Sequence, residues 1–310
     1  MQILLGTDGS TYARLAEELL QRIPEWRDAE IIVASVAAPV SYGLGAMSPG
    51  AGAIYAEQAA KAYEDGRQAA RDEADAAVTR LTLAGMKASA AYLEGDPGSE
   101  LLDFAERNGF GAIAIGSRGL GAIQSALLGS VARKLVSHAP CHVLVARANE
   151  GKSAEETLAG LDAMPKLVAT LGVDGSKGAE ILIDFVRRQG TSAFEKLIAV
   201  CAEPLSVVPS GIDPAMFVDL YKYDHERAVE TAERAVQSLA GCAETAAFAE
   251  TGLGRPSSVI EAKAKAHDSD LILVSATRHG TLERFLIGSV SYELATESPC
   301  SVLVIRPLAA

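Results

Sequence analysis

The sequence predicts an α/β protein made of two tandem doubly wound sheets, each of five parallel strands joined by helices. Three observations carry this reading. The chain repeats itself. Within each copy, short apolar runs alternate with helical stretches. The runs are continuously apolar, as suits strands covered by helices on both faces.

Four anchors in the same order define the repeat, a stronger guide than local propensity. Gly95-Asp96-Pro97 recurs as Gly254-Arg255-Pro256, and Gly129-Ser130-Val131 recurs as Gly288-Ser289-Val290, each 159 residues on. Pro140-Cys141-His142-Val143-Leu144-Val145 recurs as Pro299-Cys300-Ser301-Val302-Leu303-Val304 at the same offset. Gly6-Thr7-Asp8-Gly9-Ser10 recurs as Gly172-Val173-Asp174-Gly175-Ser176, 166 residues on, so the first copy has the longer middle. The expected domains are therefore 1–147 and 165–310. Between them, 148–164 is a polar, small-residue linker with room for a helical turn over Glu155 to Met164.

In copy one the strands fall at Ile3 to Leu5, Ile31 to Ser35, Ala88 to Leu93, Ala112 to Ile115 and His142 to Val145, each bounded by Gly, Pro or Asp. Tyr12 to Gln21 follows Ser10, a good N-cap, and reads as a helix. Ile54 to Leu83 is Ala-rich, charged and helical. Ser99 to Asn108 ends at Gly109, a stop signal, and Ser130 to His138 ends before Pro140. Copy two repeats the scheme, with strands near Leu167, Leu197, Thr245, Leu271 and Val302.

Length and composition agree: 310 residues is about two domains of ~150, with 49% hydrophobic and 22% charged residues. There is no run of about 18 apolar residues and no signal-peptide pattern at Met1-Gln2-Ile3, so a cytoplasmic protein without membrane insertion is expected. A net charge of −12 and no basic stripe argue against a nucleic-acid partner. The four cysteines form no C-x-x-C pair and read as buried apolar side chains. His138 and His142 are interrupted by Pro140, which argues against zinc.

The chemistry lies after the fourth strand. Gly116-Ser117-Arg118-Gly119 precedes Gly129-Ser130 by nine residues, giving the pattern G-x2-G-x9-G-S. Glycines there let a phosphate chain approach the backbone amides, and Gly129-Ser130 opens a helix whose free N–H groups attract anions. Arg118 adds positive charge or is an exposed turn residue. Each position also has a plain reading: Asp8 as a helix cap, Gly129-Ser130 as a helix start, Val36 as core.

The G-x2-G-x9-G-S spacing, the Gly-Thr-Asp-Gly-Ser start and the Pro-Cys-x-Val-Leu-Val ending together resemble universal stress proteins of the ATP-binding type, over nearly the whole chain. The resemblance implies a Rossmann-like fold and a role in stress signalling. It places Asp8 and Val36 by the adenine and Gly116 near the ribose. Gly119, Gly129 and Ser130 would surround the phosphates, with Thr7, Ile115, Arg118 and Val131 adjoining. It implies a Mg2+ or Mn2+ ion bridging the phosphates. Gly6 and Ser35 differ from the family's commonest residues. The resemblance also implies pairing of the two domains through His142 to Val145 and Ser301 to Val304 as a pseudo-dimer, with a homodimer of chains a further possibility. In copy two, Ser275 and Arg278 replace Gly116 and Gly119, so one ATP per chain, in copy one, is expected.

No phosphate-loop lysine motif, dinucleotide fingerprint or nucleophile elbow is present in the sequence. The leading expectation is an ATP-dependent binding and signalling module. The rivals are a slow ATPase or phosphotransfer enzyme using the same site, and an interaction scaffold stabilised by nucleotide.

Overall fold

The computed structural model describes residues 1–38, 51–120, 128–164, 166–190, 193–203, 214–244, 246–276 and 287–307, with the backbone alone for 51–57, 214–217 and 220. The Ala/Gly-rich stretch from Ala37 to Ala53 reads from sequence as a lid, a partner surface or a disordered loop; most of it lies outside these residues, as do Arg278 at the second glycine position and Thr245 at a strand centre.

The first copy runs β1 (Gln2–Gly6), α1 (Thr11–Gln21), α2 (Pro24–Arg27), β2 (Glu30–Ala37), α3 (Ala51–Leu83), β3 (Lys87–Glu94), α4 (Pro97–Asn108), β4 (Ala112–Gly116), α5 (Ser130–His138) and β5 (His142–Ala146). After α6 (Ala154–Ala163), the second copy runs β6 (Leu167–Gly172), α7 (Lys177–Gln189), β7 (Phe194–Glu203), α8 (Pro214–Ser238) and β8 (Ala246–Leu253). It ends with α9 (Pro256–Ala266), β9 (Leu271–Ser275), α10 (Ser289–Glu297) and β10 (Ser301–Ile305).

Local chemistry explains the boundaries. Ser10 and Ser176 cap α1 and α7 by accepting the amides of Ala13 and Ala179 at 3.2 and 3.3 Å. Asp96 caps α4 ahead of Pro97, and Gly109 closes it in the left-handed region at φ 65°. The central strands are buried on both faces: Ile3, Leu4, Leu5, Ile113 and Ala114 are fully enclosed.

The strands form one ten-stranded sheet in the order β3-β2-β1-β4-β5-β10-β9-β6-β7-β8. Every pairing is parallel except β5–β10, where Val145, Leu144 and Val143 face Val302, Leu303 and Val304. The pseudo-dimer through the two last strands is thus present, and each five-stranded unit is half of a continuous sheet. Joining β5 to β10 removes two apolar edges that would otherwise invite association.

Reciprocal contacts seal the junction. The Arg147 guanidinium donates to the carbonyls of Ala295 and Thr296 at the end of α10, at 3.0 and 2.8 Å. Its counterpart Arg306 donates to Val136 O near the end of α5 at 2.6 Å. Each cation meets the negative end of the other copy's last helix. Between them, Arg306 N–H donates to His142 Nδ1 at 3.0 Å, and Arg147 N–H donates to Ser301 Oγ at 3.0 Å.

Two elements differ from expectation. The segment at 148–164 holds a ten-residue helix with a Ser153–Glu156 capping box. That helix packs beside α1, where Arg22 reaches the carbonyls of Leu161 and Met164. The short α2, absent from the sequence reading, carries Trp26 into the core, edge-on to Phe185 of the second copy at 6.4 Å. Four residues are too few for a helical period to show in sequence. Among the described residues, no helix is long and apolar enough to cross a membrane. Cys141, Cys201, Cys242 and Cys300 are all free and buried.

Candidate functional site

In each half the sheet order makes the chain leave β1 and β4, or β6 and β9, in opposite directions. The crevice beyond these strand ends is where open α/β sheets take ligands. In the first copy its walls are 6–10, after β1, and 116–120, after β4.

Thr7 N–H donates to Ala34 O at 2.9 Å, fixing the exit of β1 over β2. Asp8 then bridges both walls. Its Oδ1 accepts Ser10 N–H and its Oδ2 accepts Leu120 N–H, each at 3.0 Å. The helix cap read for Asp8 is made by Ser10 instead, and Asp8 turns the backbone ahead of α1 and pins the glycine loop. Gly119 makes this possible: a Cβ on it would lie 2.3 Å from Asp8 Oδ2.

Arg118 lies across Tyr12, its guanidinium carbon 5.6 Å from the ring centroid and its Nη1 3.3 Å from the phenol oxygen. Ile115 is buried, and Val36 and Val131 are half-buried against the same apolar cluster. Gly129 N–H donates to Ser117 O at 2.8 Å, closing the loop onto α5. No side chain caps α5, its first turn has no acidic residue, and Ser130 there is exposed. That helix end presents amide donors and a hydroxyl to the crevice without a competing carboxylate.

Thr7, Asp8, Arg118, Gly119, Gly129 and Ser130 thus lie on segments that border one crevice, whereas Val36, Ile115 and Val131 belong to the apolar cluster of the sheet. Gly116 closes β4 at the same crevice and also packs tightly on α1. A Cβ on Gly116 would lie 2.7 Å from the Tyr12 carbonyl carbon and 2.9 Å from Ala13 N. Its missing side chain admits the backbone of α1.

Three contributors were not singled out in the sequence. Tyr12 supports Arg118. Ser117, fully buried, has an Oγ without a hydrogen-bond partner among the described residues. The Glu73 carboxylate lies so close to Gly9 that a Cβ there would be 2.4 Å from its Cδ. Only long-range packing brings α3 and α1 to this place, so no local pattern announces them. Among the described residues, no three His, Cys, Asp or Glu side chains are placed to hold a metal ion.

The second copy keeps part of this arrangement. Asp174 Oδ1 accepts Ser176 N–H at 2.9 Å, and Gly288-Ser289 opens α10 without a side-chain cap. Ser275 stands at the Gly116 position, where its carbonyl accepts Ser291 Oγ at 2.7 Å.

A family model described as "Universal stress protein family" matches residues 1–147 and again 169–306. A curated universal stress protein of Thermus aquaticus is 33% identical over 146 residues, covering 47% of this chain and 97% of that protein. A universal stress protein structure from Archaeoglobus fulgidus spans 98% of both chains at 18% identity, with a TM-score of 0.54. An Arabidopsis thaliana protein of the family was solved with AMP bound; it covers 46% of this chain and 93% of that one, at 16% identity and a TM-score of 0.32.

Proposed function

The chain belongs to the universal stress protein family, as two tandem domains, and on that premise we propose that the first domain binds ATP as a switch for stress-linked interactions. The observation that carries this reading is the pairing of Gly119 with Asp8 beside the uncapped start of α5. It leaves backbone amides, the Ser130 hydroxyl and Arg118 lining one crevice with positive potential.

Val36 and Asp8 would border the base. The Gly119 amide and the Ser130 amide and hydroxyl would hold the phosphates, with Gly129 giving them close approach to the start of α5. A Mg2+ or Mn2+ ion would be held mainly by the phosphates, since no three His, Cys, Asp or Glu side chains among the described residues are placed to hold one. Asp8 is already engaged by two amides, an arrangement suited to orienting a ligand rather than removing a proton from water. The reading is therefore a binding module in the cytoplasm, with hydrolysis incidental and a homodimer of chains as a further expectation.

Mass spectrometry of purified protein for carried-over nucleotide, followed by calorimetric titration of stripped protein, tests the proposal. One ATP per chain supports it. Failure to bind any adenine nucleotide refutes it, and sustained ATP turnover would favour the enzyme reading.

A further inference from the structure

We propose that Lys196 in the second domain is a nucleophilic lysine that accepts acyl groups from acyl phosphates, with His267 as its base. The observation is a hydrogen-bonded chain at the outer edge of the sheet, away from the crevice. Lys196 Nζ lies 2.7 Å from His267 Nδ1. His267 Nε2 lies 3.2 Å from Glu250 Oε1, and Glu250 Oε2 meets Lys263 Nζ at 2.6 Å.

When Lys196 is an ammonium the chain runs in one direction: the ammonium donates to Nδ1 and Nε2–H donates to Glu250. The geometry is that of a nucleophile, a base and an orienting carboxylate. A structural lysine would ordinarily pair with the carboxylate directly. Here Lys263 takes that role, and Lys196 points at the ring nitrogen. The Lys196 ammonium also lies 5.1 Å from the Phe248 ring centroid, and that ring is 41% exposed. An acyl chain can approach the amine over this ring. Two lysines against one carboxylate leave the cluster with surplus positive charge, which favours an anionic donor.

The step balances. Lys196 Nζ passes one proton to His267 Nδ1, and the resulting imidazolium is held by Glu250. The free amine attacks the carbonyl carbon of the acyl phosphate. The C–N bond forms and the C–O bond to phosphorus breaks. The departing phosphate carries off the second amine proton, and His267 returns its own to water. The product is a neutral amide at Lys196 and inorganic phosphate, with no change in oxidation state.

The first domain lacks this chain. At the positions corresponding to Lys196, Glu250 and His267 it has Glu30, Ala91 and Asn108.

The test incubates full-length protein with acetyl phosphate and follows acetylation of each lysine by peptide mass spectrometry. Lys196 is expected to react about tenfold or more faster than the exposed Lys61, Lys87, Lys152, Lys177 and Lys222, within the usual range for a positioned base. H267Q should bring it down to their rate, and E250Q should slow it by a smaller factor, with melting temperatures near the parent's. A rate at Lys196 no higher than at those lysines overturns the proposal. So does a high rate that is unchanged in H267Q.

Discussion

The two domains share strand order and helix capping but diverge at the ends of their fourth strands. In the first, Gly116 admits the Tyr12 backbone. In the second, Ser275 occupies that position while Gly178 stands where Tyr12 would be. The small residue has moved from strand to helix, so this difference concerns packing. The feature of the first domain that bears on a ligand is the bridge. Asp8 is half-buried and ties both crevice walls through Ser10 and Leu120. Asp174 is exposed and accepts Ser176 N–H two residues on.

A second exchange lies beside the helix starts. In the first domain the Asp96 cap pairs with Lys134 at 3.4 Å. In the second, Arg255 pairs with Glu293 at 2.6 Å and Glu293 also accepts Ser257 Oγ. The pair is kept with its charges reversed, so α5 carries the cation near its anion-facing end and α10 carries the carboxylate.

The largest expected effect comes from removing the bridge. Gly119→Leu should displace Asp8 and weaken ATP about a hundredfold or more, the sum of overpacking strain and lost phosphate contact. Calorimetry alongside a thermal melt checks this. Two equivalent ATP sites in the parent chain would break the comparison altogether.

The junction gives the next effect, because it is symmetric in backbone but not in chemistry. Burial, followed by the charges of Arg188 and Arg306, pushes His142 down to about 4. The folded chain therefore keeps His142 neutral while the unfolded chain takes up a proton near the ordinary value of 6.5. Stability is full above that pH and falls as pH drops toward 4, by about 3 kcal/mol in all. Ser301 occupies the matching position with no such titration. His142→Ser should flatten this part of the stability profile, read by urea denaturation at pH 7 and pH 4.5. An unchanged difference between the two pH values would exclude His142 as the cause.

Ser130→Ala should cost roughly 1.5–3 kcal/mol of ATP binding, or about tenfold or more, if its hydroxyl meets a charged phosphate. The matching Ser289→Ala should leave the titration unchanged. Equal effects of the two variants would erase the distinction between the domains.

The smallest effect concerns the reversed pair. Lys134→Glu alone should lower stability by less than about 1 kcal/mol, as for an exposed ion pair. Adding Asp96→Arg should restore the ion pair in the orientation the second domain uses, but lose the Asp96 cap on α4, which Arg255 does not make in its own helix, at a cost of roughly 0.5–2 kcal/mol. Chemical denaturation of the single and double variants completes the cycle.

Most strands and helices were legible because their signals are local. Continuous apolar runs such as Ile3 to Leu5, caps such as Ser10 and the stop at Gly109 depend on residues within a few positions. The repeat offset located both copies without any knowledge of packing. The site was legible in part: Gly119, Gly129 and Ser130 follow from spacing, but the partners that give them meaning come from distant segments. Tyr12 and Leu120 lie 106 and 112 residues from the groups they touch.

By itself, the sequence determined the two-copy architecture, the order of elements and the motif that marks one crevice, since periodicity and capping are written within single elements. The pairing of β5 with β10 was expected from the family resemblance, but only the tertiary structure decided that Trp26 meets Phe185 of the other copy and that each of Arg147 and Arg306 caps the opposite copy's last helix. It also showed Gly116 packed against the backbone of α1. Each of these depends on which backbones approach within a few ångströms, and that distance is set by the packing of the whole chain rather than by any one stretch of it.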